Sequence, residues 1–194
     1  MLVAITGNLG EGKTLCMTEI GYAQCRLGRS IYTNYDVGFP HELINTLEDM
    51  EQMQGSPGKP AVALFDELWR WLDSRQFKKQ KNDILSKIIF YSRKRDMDIF
   101  YTTQRFHQIE KRIRDVTACV IEPKLLAYKN ISFEGKMQEM PLKCIASWKY
   151  IDPKATAGYQ ISAKPFKVHN FFTLPIMKLY NTRHEVQAID YEKN

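Results

Sequence analysis

Gly7, Gly12, Lys13 and Thr14 occupy the fixed positions of the pattern G-x-x-x-x-G-K-[ST], with Asn8, Leu9, Gly10 and Glu11 between them. That spacing is the signature of a loop that cradles nucleotide phosphates. The glycines permit backbone angles at which successive N–H groups turn inward onto phosphate oxygens. Lys13 is then placed to reach the β- and γ-phosphates, and the Thr14 hydroxyl to ligate Mg²⁺. The flanks suit the loop. Leu2-Val3-Ala4-Ile5 is a short apolar run of the kind that forms a buried strand. Leu15 to Ile20 follows without a breaker, so the loop opens onto a helix N-terminus. The expected ligand is ATP with Mg²⁺, held by Gly7 through Thr14.

A phosphate loop alone binds a nucleotide without hydrolysing it. The apolar run Ala61-Val62-Ala63-Leu64-Phe65 ends in Asp66-Glu67. An aspartate at the C-terminal end of a buried parallel strand lies beside the phosphate loop in open α/β sheets. Asp66 is therefore expected in the Mg²⁺ shell, directly or through water, and Glu67 as the group that polarises the attacking water. A second strand, Ile99 to Thr103, ends in Gln104. By residue type alone Gln104 is either a solvated turn residue or a contact to the γ-phosphate and its water. Phosphoryl transfer also gains from an arginine on the developing charge. Arg93 and Arg95 in Ser92-Arg93-Lys94-Arg95-Asp96, and Arg112 and Arg114 further on, are the candidates. Arg95, then Arg93, is favoured, acting on a neighbouring subunit's nucleotide.

The elements that must position these groups alternate between strand and helix. A first helix from about Lys13 to Leu27, stopped by Gly28, leads to a strand at Ser30 to Asn34. His41 to Met53 has helical spacing, and Gln54 to Pro60 is a loop. After the Asp66 strand come a helix from Leu68 to Ser74, a basic stretch, and a helix from Asp83 to Arg93. Met97 to Thr102, a charged helix from Ile109 to Val116, and a strand from Ala118 to Glu122 complete the pattern. It predicts a mostly parallel sheet flanked by helices. From Lys124 the helical period fades. Ile131–Phe133, Cys144–Tyr150 and Tyr159–Ser162 read as antiparallel strands added to the same sheet. The expected organisation is one domain over residues 1–194, with a core motor at 1–123 and a β-rich extension at 124–194.

The chain has 194 residues, 44% hydrophobic and 26% charged, and a formal net charge of +6. That composition belongs to an ordinary globular chain, and the charge permits nucleic-acid binding without requiring it. No stretch approaches the roughly 18 apolar residues of a spanning helix. The N-terminus reads as a core strand and not as a signal peptide, so a cytoplasmic protein is expected. Cys16, Cys25, Cys119 and Cys144 are scattered, as free thiols in a reducing compartment are. His41, His107, His169 and His184 have no zinc-ligand spacing.

Phosphate loop, acidic pair, arginine-rich turn, strand and glutamine, in that order, resemble the FtsK–HerA superfamily of P-loop motors. Arg93-Lys94-Arg95-Asp96-Met97-Asp98-Ile99 with Thr103-Gln104 is similar to the zonula-occludens-toxin and filamentous-phage assembly branch. It is similar also to the compact genome-packaging ATPases of tailless viruses with internal membranes. Leu179-Tyr180-Asn181-Thr182-Arg183-His184-Glu185 looks like the ending of both. The resemblance implies a RecA-like P-loop NTPase fold and a homo-oligomeric ring, hexameric or pentameric, with ATP between subunits. It implies that Gln104 senses the γ-phosphate. The leading expectation is a translocase that packages viral double-stranded DNA into a preformed capsid, docked at a capsid vertex or on a membrane protein. Such a chain would work in the host cytoplasm or on the virion. Lys78, Lys79 and Lys81, within Gln76 to Lys81, are the candidate DNA-binding pore residues, or simply part of a solvated loop. The absence of a membrane helix after the ATPase segment favours packaging. The alternative is a membrane-linked morphogenesis or secretion ATPase of the phage-assembly type. A small-molecule kinase is the third reading.

Overall fold

A computed structural model describes residues 1–68, 94–109, 111–133, 135–152 and 160–181. Arg93, Lys78, Lys79, Lys81, the expected helix at 68–74 beyond Leu68, the expected helix at 83–93, and the tail from 182 lie outside the described residues. Leu2–Thr6 (β1), Ala61–Phe65 (β4) and Met97–Thr103 (β5) are almost wholly buried. Their near-continuous apolar sequences are those of strands covered on both faces. Ile31–Thr33 (β2) and Glu42–Leu43 (β3) extend the sheet on one side. Cys119–Phe133 (β6), Lys136–Asp152 (β7), Gln160–Ile161 (β8) and Lys167–Phe172 (β9) extend it on the other. The order is β3-β2-β4-β5-β1-β6-β7-β8, with β9 also on β7. Strands β3 through β6 in this order run parallel, and β7 reverses the direction. This is the mostly parallel α/β sheet with antiparallel C-terminal strands that the sequence predicts.

One face of the sheet packs Leu2, Ala4, Phe65, Ile99 and Tyr101 against Met50, Met53, Ile109 and Ile113. Lys111–Val116 (α3) carries Ile113. The other face packs Val3, Ile5, Val62, Leu64 and Phe100 against Cys16, Met17 and Ile20 of Lys13–Arg26 (α1). Gly21 lets α1 lie close: a Cβ there would sit 2.5 Å from Leu64 Cδ1. Thr173–Met177 (α4) packs Ile176 onto Leu15 and Cys144. Among the described residues no helix is long and apolar enough to cross a membrane.

Two expectations are corrected. His41 to Met53 is not one helix. Glu42–Leu43 pairs with β2, and a helix begins only at Leu47–Gln52 (α2). The Thr46 side chain accepts from Asp49 N at 3.1 Å, and the Asp49 carboxylate accepts from Thr46 N at 2.8 Å. This reciprocal cap fixes Thr46 in extended geometry and starts the helix there. Leu43, counted in the helical period, is 42% exposed. The strand expected to end at Glu122 runs on to Phe133 and absorbs Ile131–Phe133 as its far end. β6 and β7 thus form one long hairpin whose outer part passes beyond the end of β1.

Candidate functional site

The site lies where β1, β4 and β5 end. β1 stops at Thr6, the loop follows, and α1 begins at Lys13. Gly12 caps the helix with φ 86°, a left-handed geometry, and supplies no side-chain hydrogen bond to the first turn. The first helical N–H groups therefore lack a side-chain cap, as an anion-binding terminus requires. Lys13 Nζ donates to Asn8 O at 2.9 Å. The Glu11 carboxylate accepts from Asn8 N at 2.7 Å and Asn8 Nδ2 at 3.0 Å. Asn8 is gripped from both sides, so the Glu11 side chain braces the loop.

β5 lies between the strand that carries the loop and the strand that carries Asp66. It contributes a residue the sequence reading passed over. Thr102 Oγ1 donates to Asp66 Oδ1 at 2.6 Å and accepts from Glu67 N at 2.7 Å. Thr14 Oγ1 donates to the same carboxylate at 3.0 and 3.2 Å. Asn34, just past β2, bonds the Asp66 backbone twice: Asp66 N to Asn34 Oδ1 at 2.7 Å and Asn34 Nδ2 to Asp66 O at 2.9 Å. Glu67 sits at φ 47°, a left-handed backbone held by the Thr102 bond. Such geometry is uncommon for a side chain with a Cβ and turns the chain sharply away from the strand.

Burial pushes the Asp66 carboxyl above its ordinary range, opposed by the Thr102 and Thr14 hydrogen bonds and by Lys13. Burial pushes Lys13 down, opposed by Asp66, Glu11 and Glu67. A half-buried carboxylate held by two hydroxyls, beside a lysine, suits a divalent cation. Thr14 and Asp66 offer hard oxygen donors within hydrogen-bond reach of each other. Mg²⁺ typically takes one or two protein ligands and completes its shell with phosphate oxygens and water.

Lys13, Thr14, Asp66 and Glu67 line one cavity of about 360 Å³, whose other wall comes from Leu125, Tyr128, Pro141, Met177 and Tyr180. The C-terminal third therefore builds half of the site. A Cβ on Gly12 would lie 2.8 Å from Leu125 Cδ2. Tyr180 forms a bridge with Val37, and burial raises its phenol above the ordinary range. Gln104 is exposed, one residue past β5. It lines a second cavity of about 950 Å³ with Gly7, Asn8 and Glu11, to which Arg105, Arg114 and Lys124 contribute positive charge. Arg95 is at the opposite end of the sheet, before β5 begins. Its Nη1 donates to Glu51 O at 2.6 Å and Met53 O at 2.9 Å. Arg95 is thus remote from the phosphate loop of its own chain. Arg112 and Arg114 lie on α3.

No protein-family model matches the chain. It is 28% identical over 141 residues to the uncharacterized protein ORF2 of Spiroplasma virus SpV1-C74, covering 68% of this chain and 42% of that protein. It is 28% identical over 127 residues to ORF2 of Spiroplasma virus SpV1-R8A2 B, covering 63% of this chain and 38% of that protein. The chain spans about two fifths of the length of these relatives. Among solved structures it resembles the N-terminal domain of zonular occludens toxin from Neisseria meningitidis. The TM-score is 0.50 at 18% identity, over 93% of this chain and 98% of that one. The fold is a RecA-like P-loop fold of the kind found in ATPases.

Proposed function

We propose that this chain is a Mg·ATP-hydrolysing motor domain. The observation that carries the proposal is the convergence of Thr14, Asp66 and Thr102, from three separate elements, beside Lys13 and in one cavity with Glu67. The loop Gly7–Thr14 grips the triphosphate, with Lys13 on the β- and γ-phosphates. Thr14 and Asp66 hold Mg²⁺, which when bound draws charge from the phosphate oxygens. Glu67 takes a proton from the water that adds to the γ-phosphorus as the bond to the β–γ bridging oxygen breaks and ADP leaves. Gln104 orients that water or reports its consumption.

Glu67→Gln tests this directly. It keeps Mg·ATP binding and lowers turnover by roughly 10² or more, the scale of general-base loss. Lys13→Ala loses productive binding while remaining folded. Wild-type turnover in Glu67→Gln rejects Glu67 as the base, and wild-type turnover in folded Lys13→Ala rejects the loop assignment.

For the work done with the hydrolysis, we place the chain in the FtsK–HerA superfamily, in the assembly and secretion branch. The support is the likeness to the zonular occludens toxin domain over nearly the whole chain and the viral relatives. In that reading a ring of copies moves a capsid protein or a nucleic acid at a membrane. Duplex-DNA packaging is the second reading. Its support is the +6 charge and the Lys78, Lys79 and Lys81 cluster. In both, Arg95 or Arg93 serves a neighbour's nucleotide. ATPase rate with and without duplex DNA separates the two: stimulation supports packaging, and an assembled ring indifferent to duplex supports assembly.

A further inference from the structure

β6 loses its parallel partner after Ile121 and continues with β7 alone. Within this outer part, Ala127 has φ 57°, a left-handed conformation that residues with a Cβ avoid. The ladder is interrupted there: Leu126 faces Lys143 and Tyr128 faces Pro141, with no pairing at Ala127 between them. A strained residue in mid-strand, next to a ligand cavity, is where a re-aimed side chain is found. The next residue is Tyr128. It is 53% exposed and contributes to both cavities that border the phosphate loop. Leu125, three residues earlier, is seated against Gly12. Tyr128 thus lies farther out along the hairpin than the loop's own contact. Tyr128 shares with Gly12, Lys13 and Thr14 the cavity that a nucleotide held by that loop would enter. Pro141 and Met177 give the same cavity an apolar lining. Its size, about 360 Å³, is that of a small-ligand site.

We propose that Tyr128 is the platform on which the base of the bound nucleotide stacks, aimed there by the backbone of Ala127. The proposal rests on the reading of Gly7–Thr14 as a triphosphate cradle. Stacking on a ring face accepts any purine, so this site binds ATP and GTP with similar affinity.

The test is calorimetric titration of wild type, Tyr128→Ala and Tyr128→Phe with Mg·ATP and with inorganic tripolyphosphate, which has the phosphates and no base. Tyr128→Ala weakens Mg·ATP by roughly 10-fold, within the range measured for base–aromatic stacking. It leaves tripolyphosphate affinity unchanged, and Tyr128→Phe restores Mg·ATP binding. The proposal is overturned if Tyr128→Ala binds Mg·ATP as wild type does, or if it weakens both ligands equally. If wild type binds tripolyphosphate but gains nothing from the base, the platform alone is wrong. If wild type binds neither ligand, the cradle reading falls and takes the platform with it.

Discussion

Thr102→Val is the most informative single change at this site. It preserves shape at a fully buried position and deletes one oxygen. That oxygen donates to Asp66 at 2.6 Å and accepts from Glu67 N at 2.7 Å. A hydrogen bond to a charged group contributes about 1.5–3 kcal/mol, and a buried N–H left unsatisfied costs about 1–3 kcal/mol. Asp66 is only half-buried and keeps Thr14, so water recovers part of the loss. A net destabilisation of about 2–4 kcal/mol is expected. For a domain of this size it lowers Tm by about 4–16 °C. Thr102→Ser, which keeps the oxygen and sheds a methyl, loses only about 1 kcal/mol. Urea unfolding of the three proteins gives the stabilities by linear extrapolation. The same deletion removes a bond that favours ionised Asp66, so its pKa rises further and the acid limb of the ATPase profile moves to higher pH. If Thr102→Val matches Thr102→Ser in stability and in pH profile, the hydroxyl does not organise the site.

Asp66→Asn separates stability from activity. The folded-state pKa of Asp66 lies above its unfolded value, so the unfolded chain ionises first as pH rises, and its contribution to stability falls across that window. The asparagine variant escapes this loss. Its stability relative to wild type therefore improves from acid to neutral pH, while Mg²⁺-dependent turnover drops by roughly 100-fold or more, as a misplaced metal worth several kcal/mol implies. A stability difference that does not change with pH contradicts the raised pKa. Arg95→Ala loses two carbonyl contacts and about 1–3 kcal/mol of stability by urea unfolding. If mixing it with Glu67→Gln restores activity that neither has alone, the guanidinium also serves a neighbour. No stability loss would show that the two carbonyl contacts are incidental.

The phosphate loop and the Asp66 strand were legible because each is a local pattern, a fixed spacing or an unbroken apolar run. Thr102 was not, because its partners lie 35 and 36 positions away and meet it only once β5 is inserted between β1 and β4. A polar residue in an otherwise apolar strand end was the one available signal. The length of β6 was hidden for a different reason. Beyond Ile121 the hairpin leaves the core, and Lys124, Lys129 and Asn130 are exposed, so no apolar alternation marks it as strand. The helix expected from His41 rests on periodicity alone, whereas the reciprocal Thr46–Asp49 cap starts the helix only at Leu47. Arg95 follows from Gly55 and Glu51–Met53 folding up against the turn before β5, a contact that sequence spacing cannot register.

The strand that bears the phosphate loop is flanked on both sides by segments made much later. β1 pairs with residues 99–103 and 119–121, and among the described residues with no strand that lies near it in the chain. On a ribosome adding about 5–20 residues per second, it waits about 6–23 s after emerging for its second neighbour. Until then Leu2 to Ile5 is an unpaired apolar segment, a hazard for aggregation and a target for a chaperone. Nucleotide therefore has no folded loop to bind until residues 119–121 have been made. A chain truncated before Cys119 lacks one wall of the strand it needs, and refolding from denaturant should be slow, as long-range parallel pairing is.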